Sequence, residues 1–275
     1  MARLGLLAGV GTLPFEFVQT AKKQGHEIVC IAVVPDVDTR LKSYSDKYFE
    51  INVFKLNKIL KTLCEANVKE VTMLGKVTKE YLYKRKLVIP DLRTVKLLNK
   101  LRKLDFKDDT IMLALVDELE GSGLKVMDQT KYLKPLMPPP QIFTHAMPSE
   151  EQMDDIAFGF KTAKLIGQMD MGQTVVVKDK AVMAVEAIEG TDACIRRGGK
   201  LAGKGAVVVK VAKPNQDPRF DVPAVGLDTL NAMIETKCKV LAIEAEKTLF
   251  VDRFDVMDKA DEHDIVIVSV NQESL

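Results

Sequence analysis

The stretch "RLGLLAGVGTLPFEFVQTAKKQGHEIVCIAVV", residues 3–34, decides the fold class. Residues 3–9 form a short apolar run ending in glycine; Pro14 suits the first turn of a helix, and Phe15, Val18 and Ala21 recur at helical spacing before Gly25. Residues 27–34 are then continuously apolar and β-branched, the pattern of a parallel strand buried on both faces. The order strand, helix, strand is a β-α-β unit, because parallel neighbours need a long crossover. The pattern continues in "LNKILKTLCEANV" (56–68), which alternates at helical period, and in "VKEVTMLG" (68–75), which returns to strand. A parallel sheet with crossover helices is expected for the N-terminal part.

With 275 residues the chain exceeds the usual size of one domain, so two are expected. The proline-rich "PLMPPPQ" (135–141) cannot be a helix interior or a central strand, and it places the boundary. The expected division is an N-terminal domain over 1–134, a linker over 135–147 and a mixed α/β C-terminal domain over 148–275. In the second half, Ser149 and Gln152 have capping-box spacing ahead of a helical pattern, and "TVVVKDKAVMAVEA" (174–187) reads as a hairpin turning at Asp179 and Lys180. A strand over 205–212, a helix near 227–237, the strand "KVLAIEA", a short "TLFVD" strand, a helix near 253–262 and the strand "DIVIVSV" follow.

Lys plus Arg number 40 against 39 for Asp plus Glu, so no global charge draws the chain to nucleic acid. Locally, residues 76–104 carry ten Lys or Arg against two acids. A solvated helix face accounts for them, and contact with anionic lipid headgroups is the alternative. The four cysteines, Cys30, Cys64, Cys194 and Cys238, form no CxxC pair, which argues against a disulfide framework and for a reducing cytoplasm. No run approaches the roughly 20 apolar residues that span a bilayer. The three histidines are scattered, so any metal is expected among oxygens.

Three stretches carry candidate chemistry. "AGVGTLP" (8–14) invites a dinucleotide reading, but only Gly9 and Gly11 match GxGxxG, since Pro14 stands at the third glycine. "AVEAIEGTDACIRRGG" (184–199) gathers Glu186, Glu189 and Asp192 against Arg196 and Arg197, with Thr191 placed to cap a helix beginning at Asp192. From spacing alone, an anion site and helix-surface ion pairs such as Asp192 with Arg196 are equally good readings. "KVAKPNQDPRFDVPAVG" (210–226) favours the former, because it sets Lys213, Gln216, Asp217, Arg219 and Asp221 in a proline-stiffened loop after a buried strand. Acids beside cations suit metal-assisted phosphoryl chemistry, in which carboxylates hold a hard divalent ion and basic groups neutralise a diphosphate. A structural salt-bridge network is the alternative.

On these residues, "AVEAIEGTDACIRRGG" and "KPNQDPRFDVPAVG" together with "AGVGTLP" and "MGQTVVV" (171–177), the chain resembles the LpxI-type UDP-2,3-diacylglucosamine pyrophosphatases over its whole length. The resemblance implies a Rossmann-like N-terminal domain, a family-specific C-terminal domain, and hydrolysis of UDP-2,3-diacylglucosamine to UMP and 2,3-diacylglucosamine 1-phosphate in lipid A synthesis of Gram-negative bacteria. It also implies a Mg²⁺ or Mn²⁺ ion, substrate between the two domains, a homodimer, and a cytoplasmic protein that contacts the inner membrane peripherally. Asp221, in the match of "RFDVP" to the family's RxDLP, is the leading catalytic acid, followed by Asp192 and Asp217. The expected metal ligands are Asp221, Asp192 and Glu189. The expected substrate contacts are Gly9, Gly11, Thr191, Arg196, Arg197, Lys213, Gln216 and Arg219. "EAEKTL" (244–249) departs from the family's EAGRTL or EAGKTL. The rival readings are a nicotinamide-dependent oxidoreductase using "AGVGTLP" and a non-catalytic lipid or nucleotide carrier.

Overall fold

A computed structural model describes residues 1–77, 88–102 and 108–275, and the chain divides into two units. The first comprises Met1–Leu133 with Pro218–Phe220, and the second Lys134–Asp217 with Asp221–Leu275.

In the first unit, β1 (Arg3–Ala8), β2 (Glu27–Ala32), β3 (Lys47–Glu50), β4 (Glu70–Leu74) and β5 (Lys125–Val126) lie in the order β3-β2-β1-β4-β5, every neighbouring pair parallel. The order reverses beside β1, as in a Rossmann-like sheet. Leu7, Val29 and Ile31 on one sheet face share a core with Ile59, Leu60 and Leu63 of α3 (Leu56–Glu65), Leu97 and Leu101 of α4 (Leu92–Leu101), and Leu119 of α5 (Asp108–Glu120). Each such side chain contributes about 1.5–3 kcal/mol by burial. Pro14 stands in the first turn of α1 (Leu13–Lys23), as its fixed φ and missing N–H allow.

Two elements here escape the sequence patterns. α2 (Arg40–Tyr44) is short, and β3, "KYFE", is an edge strand whose side chains are largely exposed, so neither shows apolar periodicity. The basic stretch is described in part. Within it, Arg93 bonds to Glu118 and Ser122, and Lys100 pairs with Asp117, as a solvated face would. Lys79, Lys84, Arg85, Lys86 and Lys103 lie outside the described residues.

In the second unit, β6 (Gln141–Ile142), β7 (Thr174–Lys178), β8 (Ala181–Val185), β9 (Val207–Lys210), β11 (Val240–Glu244) and β13 (Val266–Val270) form a sheet in the order β6-β13-β11-β9-β7-β8. β9, β11 and β13 are parallel, while β7 runs antiparallel to β9 and to β8, and β6 antiparallel to β13. Alternation along the strands builds two cores. Val175, Val177, Val207, Val209 and Ala242 pack with Ile156, Phe160 and Ala163 of α6 (Glu150–Gln168). Val176, Val208, Leu241, Ile243 and Ile267 pack with Ile195 of α7 (Thr191–Ala202), Leu230 and Met233 of α8 (Leu227–Thr236), and Val256 of α9 (Arg253–Glu262). β10 (Ala224–Val225) and β12 (Leu249–Phe250) form a separate parallel pair.

The capping box at Ser149 and Gln152 is present, and the β7–β8 hairpin turns at Asp179 and Lys180, both left-handed. Asp155, buried on α6, accepts both turn N–H groups, Asp179's at 3.0 Å and Lys180's at 2.6 Å. Residues 135–147, read as a linker, contain more than a connection: β6 lies there and joins the sheet edge. Its two residues are too few to register as a strand beside three prolines. No helix of the described residues is long and apolar enough to cross a membrane.

Candidate active site

The carboxyl ends of parallel β9 and β11 fall at one edge of the second sheet, and β7, running the other way, begins there. β8 leaves at the same edge and leads through Glu186 into the N-terminus of α7. That edge gathers polar side chains on a rigid frame, the usual place for ligands in an open α/β sheet.

Glu186, at 8% exposure, and Lys210, at 6%, are charged groups of this edge that are more than nine-tenths buried. They communicate through one hydroxyl. Lys210 Nζ donates to Thr191 Oγ1 at 2.9 Å and to the Ala224 carbonyl at 2.8 Å, while Thr191 Oγ1 donates to Glu186 Oε1 at 2.9 Å. Glu186 Oε2 also accepts the Gln173 N–H at 3.3 Å. The arrangement corrects one expectation. Gly190, not Thr191, is the N-cap of α7, and Thr191 makes no capping hydrogen bond because its hydroxyl is engaged in this relay.

From Gln173 the network continues outward. Gln216 Nε2 donates to Gln173 Oε1 at 3.2 Å, and the Lys213 N–H donates to Gln216 Oε1 at 3.1 Å. Lys213 Nζ lies 2.9 Å from Asp170 Oδ1 and 3.5 Å from Asp221 Oδ2, so two carboxylates gather round one ammonium. The Asp221 N–H donates to the Asp217 carbonyl at 2.9 Å, which turns the chain back beneath Asp221. Thr191, Lys213, Gln216, Asp217 and Asp221 are thus joined in one connected edge of the second unit.

Other expected site residues are placed elsewhere. Arg196 lies on the outer face of α7, where it pairs with Glu235 of α8 at 2.6 Å and not with Asp192. Arg197 donates to the Val185 carbonyl at 2.8 Å and to Glu189 Oε1. Those guanidiniums raise their own pKa by hydrogen bonding and lower the pKa of Glu235 and Glu189 in turn, the signature of surface pairs. Arg196→Ala is therefore expected to leave turnover unchanged in a steady-state assay, whereas Lys213→Ala lowers it. Asp192 is half-buried in the first turn of α7, where its charge favours the helix N-terminus. The expected metal trio does not converge: Arg197 neutralises Glu189, and among the described residues no group of three or more His, Cys, Asp or Glu could hold an ion. Arg219, with Pro218 and Phe220, belongs to the first unit and pairs with Glu120 at 3.3 Å.

Gly9 and Gly11 have structural reasons in the first unit. A Cβ on Gly9 would lie 2.6 Å from the Lys76 carbonyl oxygen and 2.8 Å from the Gly75 carbonyl carbon, where the chains after β1 and β4 pair through Val10 and Lys76. Gly11 adopts φ +115°, which side chains rarely do. Gly9→Ala is expected to cost about 1–3 kcal/mol by forcing those backbones apart, read as a lower melting temperature. The glycine pattern thus answers to strand packing, which weakens the dinucleotide reading. A cleft of about 560 Å³ lies instead beyond β2 and β3, lined in part by Asp36, Thr39, Lys42, Tyr48, Glu50 and Asn52.

Comparison with known proteins accounts for both halves. The model of the LpxI N-terminal domain matches residues 3–136, and that of the LpxI C-terminal domain matches residues 139–268. The chain belongs to the LpxI family. A similar curated protein is the UDP-2,3-diacylglucosamine pyrophosphatase LpxI of Caulobacter vibrioides, 29% identical over 280 residues, covering 98% of each chain. Among solved structures, UDP-glucose-4-epimerase from Stenotrophomonas maltophila with bound NAD is 12% identical at a TM-score of 0.30 over 45% of this chain and 34% of that one. Phosphoribosylglycinamide synthetase from Anaerococcus prevotii is 10% identical at 0.28 over 68% and 39%. Likenesses that slight carry no argument about chemistry, so the function of this LpxI chain rests on its family and on the carboxyl edge of its second sheet.

Sequence reasoning quoted Glu186, Lys210 and Glu244 but gave them no role, and it overlooked Lys164 and Asp170. The one signal for Lys210 and Glu244 was a charge at the end of a buried, β-branched run, where a plain core strand would carry none.

Proposed function

We propose that this LpxI-family protein hydrolyses the diphosphate of UDP-2,3-diacylglucosamine, giving UMP and 2,3-diacylglucosamine 1-phosphate. The observation that carries the reading is the meeting of Lys213 and Asp221 at the carboxyl edge, in a chain related over nearly its whole length to a pyrophosphatase of that name. Lys213 offsets charge on the diphosphate as it develops, a contribution of about 3 kcal/mol for a well-placed donor. Water attacks one phosphorus, the anhydride P–O bond breaks, and the electron pair leaves with the departing phosphate. The proton lost from water passes to Asp221.

Asp170 and Asp221 already flank a cation, the Lys213 ammonium, so this donor set fits Mg²⁺ or Mn²⁺, which is commonly held by one or two carboxylates together with substrate phosphates. When bound, such an ion neutralises diphosphate charge and acidifies water. The same reading makes the protein a cytoplasmic homodimer that touches the inner membrane, where a diacylated substrate resides.

Incubation of the purified protein with UDP-2,3-diacylglucosamine, with Mg²⁺ or with chelator, followed by product identification, tests the proposal. UMP and the lipid monophosphate are expected with the ion and are lost with chelator. Binding without cleavage in every arm would make the protein a carrier.

A further inference from the structure

β9 leaves the sheet at Lys210, and two residues later the backbone of Ala212 is held from both sides. Its N–H donates to Glu244 Oε2 at 2.8 Å, and its carbonyl accepts from Lys164 Nζ at 2.9 Å. Lys164 and Glu244 are themselves paired at 2.5 Å through the same Oε2, while Lys247 Nζ lies 3.0 Å from Oε1. The Glu244 side chain is 5% exposed and that of Lys164 24%. A chain leaving a sheet ordinarily gives such groups to water or to a turn. A buried ion pair is a weak source of stability, because desolvation offsets most of the attraction. Stability alone therefore does not explain why both ends of this pair land on one residue's backbone.

The residue that follows is Lys213, whose ammonium lies between Asp170 and Asp221. The direction of the Ala212 carbonyl sets the plane of the next peptide, and hence where the Lys213 side chain departs. We propose that Lys164 and Glu244 are positioning residues, a polar clamp on Ala212 that aims Lys213 at Asp221 and at the diphosphate. The inference rests on the reading of Lys213 and Asp221 as the reacting cluster. The clamp is directional: the carboxylate must face the N–H and the ammonium the carbonyl.

That directionality supplies the test. Lys164→Glu combined with Glu244→Lys keeps both charges and their pairing but turns each against the wrong backbone group. In the full-length protein, hydrogen exchange at the amides of 212, 213, 215 and 216 is expected to rise about tenfold or more, with the α6 and β11 amides unchanged. A displacement of about 1 Å at Lys213 can cost on the order of 10²-fold in kcat, so a 10- to 100-fold fall in kcat is expected, with KM within about threefold. Lys164→Arg, which retains a cationic donor, is expected to restore kcat to within about threefold of wild type. Should the exchanged pair prevent folding, Lys164→Met, which removes the donor to the Ala212 carbonyl, is read in the same two ways. Unaltered exchange at 212–216 would overturn the clamp, and faster exchange with unchanged kcat would overturn its positioning role. If Asp221→Ala turns over normally while the exchanged pair still loosens 212–216, the clamp stands and its link to the chemistry falls, which separates this inference from the reading beneath it.

Discussion

Asp221→Ala is expected to lower the turnover of UDP-2,3-diacylglucosamine by about 10²–10³-fold, the scale on which one group aimed at developing charge contributes to a transition state. The protein should remain folded, because the Asp221 side chain is 26% exposed and Lys213 keeps its shorter contact with Asp170 at 2.9 Å. The fall should appear in kcat with little change in KM, since an interaction made chiefly in the transition state is lost. Steady-state UMP release alongside a thermal melt checks it; near-normal kcat would take Asp221 out of the chemistry. Asp170→Ala should lower kcat as well, since Asp170 meets the same ammonium, although it lies outside every sequence signature of the site.

The largest effect on stability is expected at Glu186. Its carboxylate is the negative end of the relay through Thr191 to Lys210, and both charged groups are buried. Glu186→Ala removes the buried acceptor of the Thr191 hydroxyl and of the Gln173 N–H, a loss of about 1.5–3 kcal/mol. For a unit of this size the melting temperature should fall by on the order of 10 °C. Glu186→Gln, which can still accept from Thr191, should lose less. Calorimetric scans of the two variants test the order, and equal melting temperatures for Glu186→Ala and the wild type would deny the relay any structural weight.

Most of the fold was legible because its strands are buried on both faces and its helices are amphipathic. "EIVCIAVV", "GAVVVKVA" and "DIVIVSV" declare themselves as strands by their apolar, β-branched content, and the capping box at Ser149 and Gln152 marks the start of α6. What stayed hidden was short or exposed: β3 at a sheet edge with two charged side chains, and β6 beside a proline run. The site was legible only in part. Thr191 at the start of α7 and Lys213, Gln216 and Asp221 in a polar loop stand where side-chain chemistry is conspicuous, and the structure brings them together. Arg196 and Arg197 looked equivalent to them in sequence, but helical periodicity turns one toward α8 and the other toward Glu189. The pairing of Lys164 with Glu244 was missed for a simpler reason: 80 positions separate them, and only the packing of α6 against the sheet makes them neighbours.

Amide chemical-shift mapping of the Asp221→Ala protein titrated with UDP, a diphosphate it cannot turn over through Asp221, tests the central claim most directly. The largest changes are expected at 191–194 and 213–217, the two segments that meet at the carboxyl edge of the second sheet. Changes confined to the cleft beyond β2 and β3, with none in those segments, would contradict it.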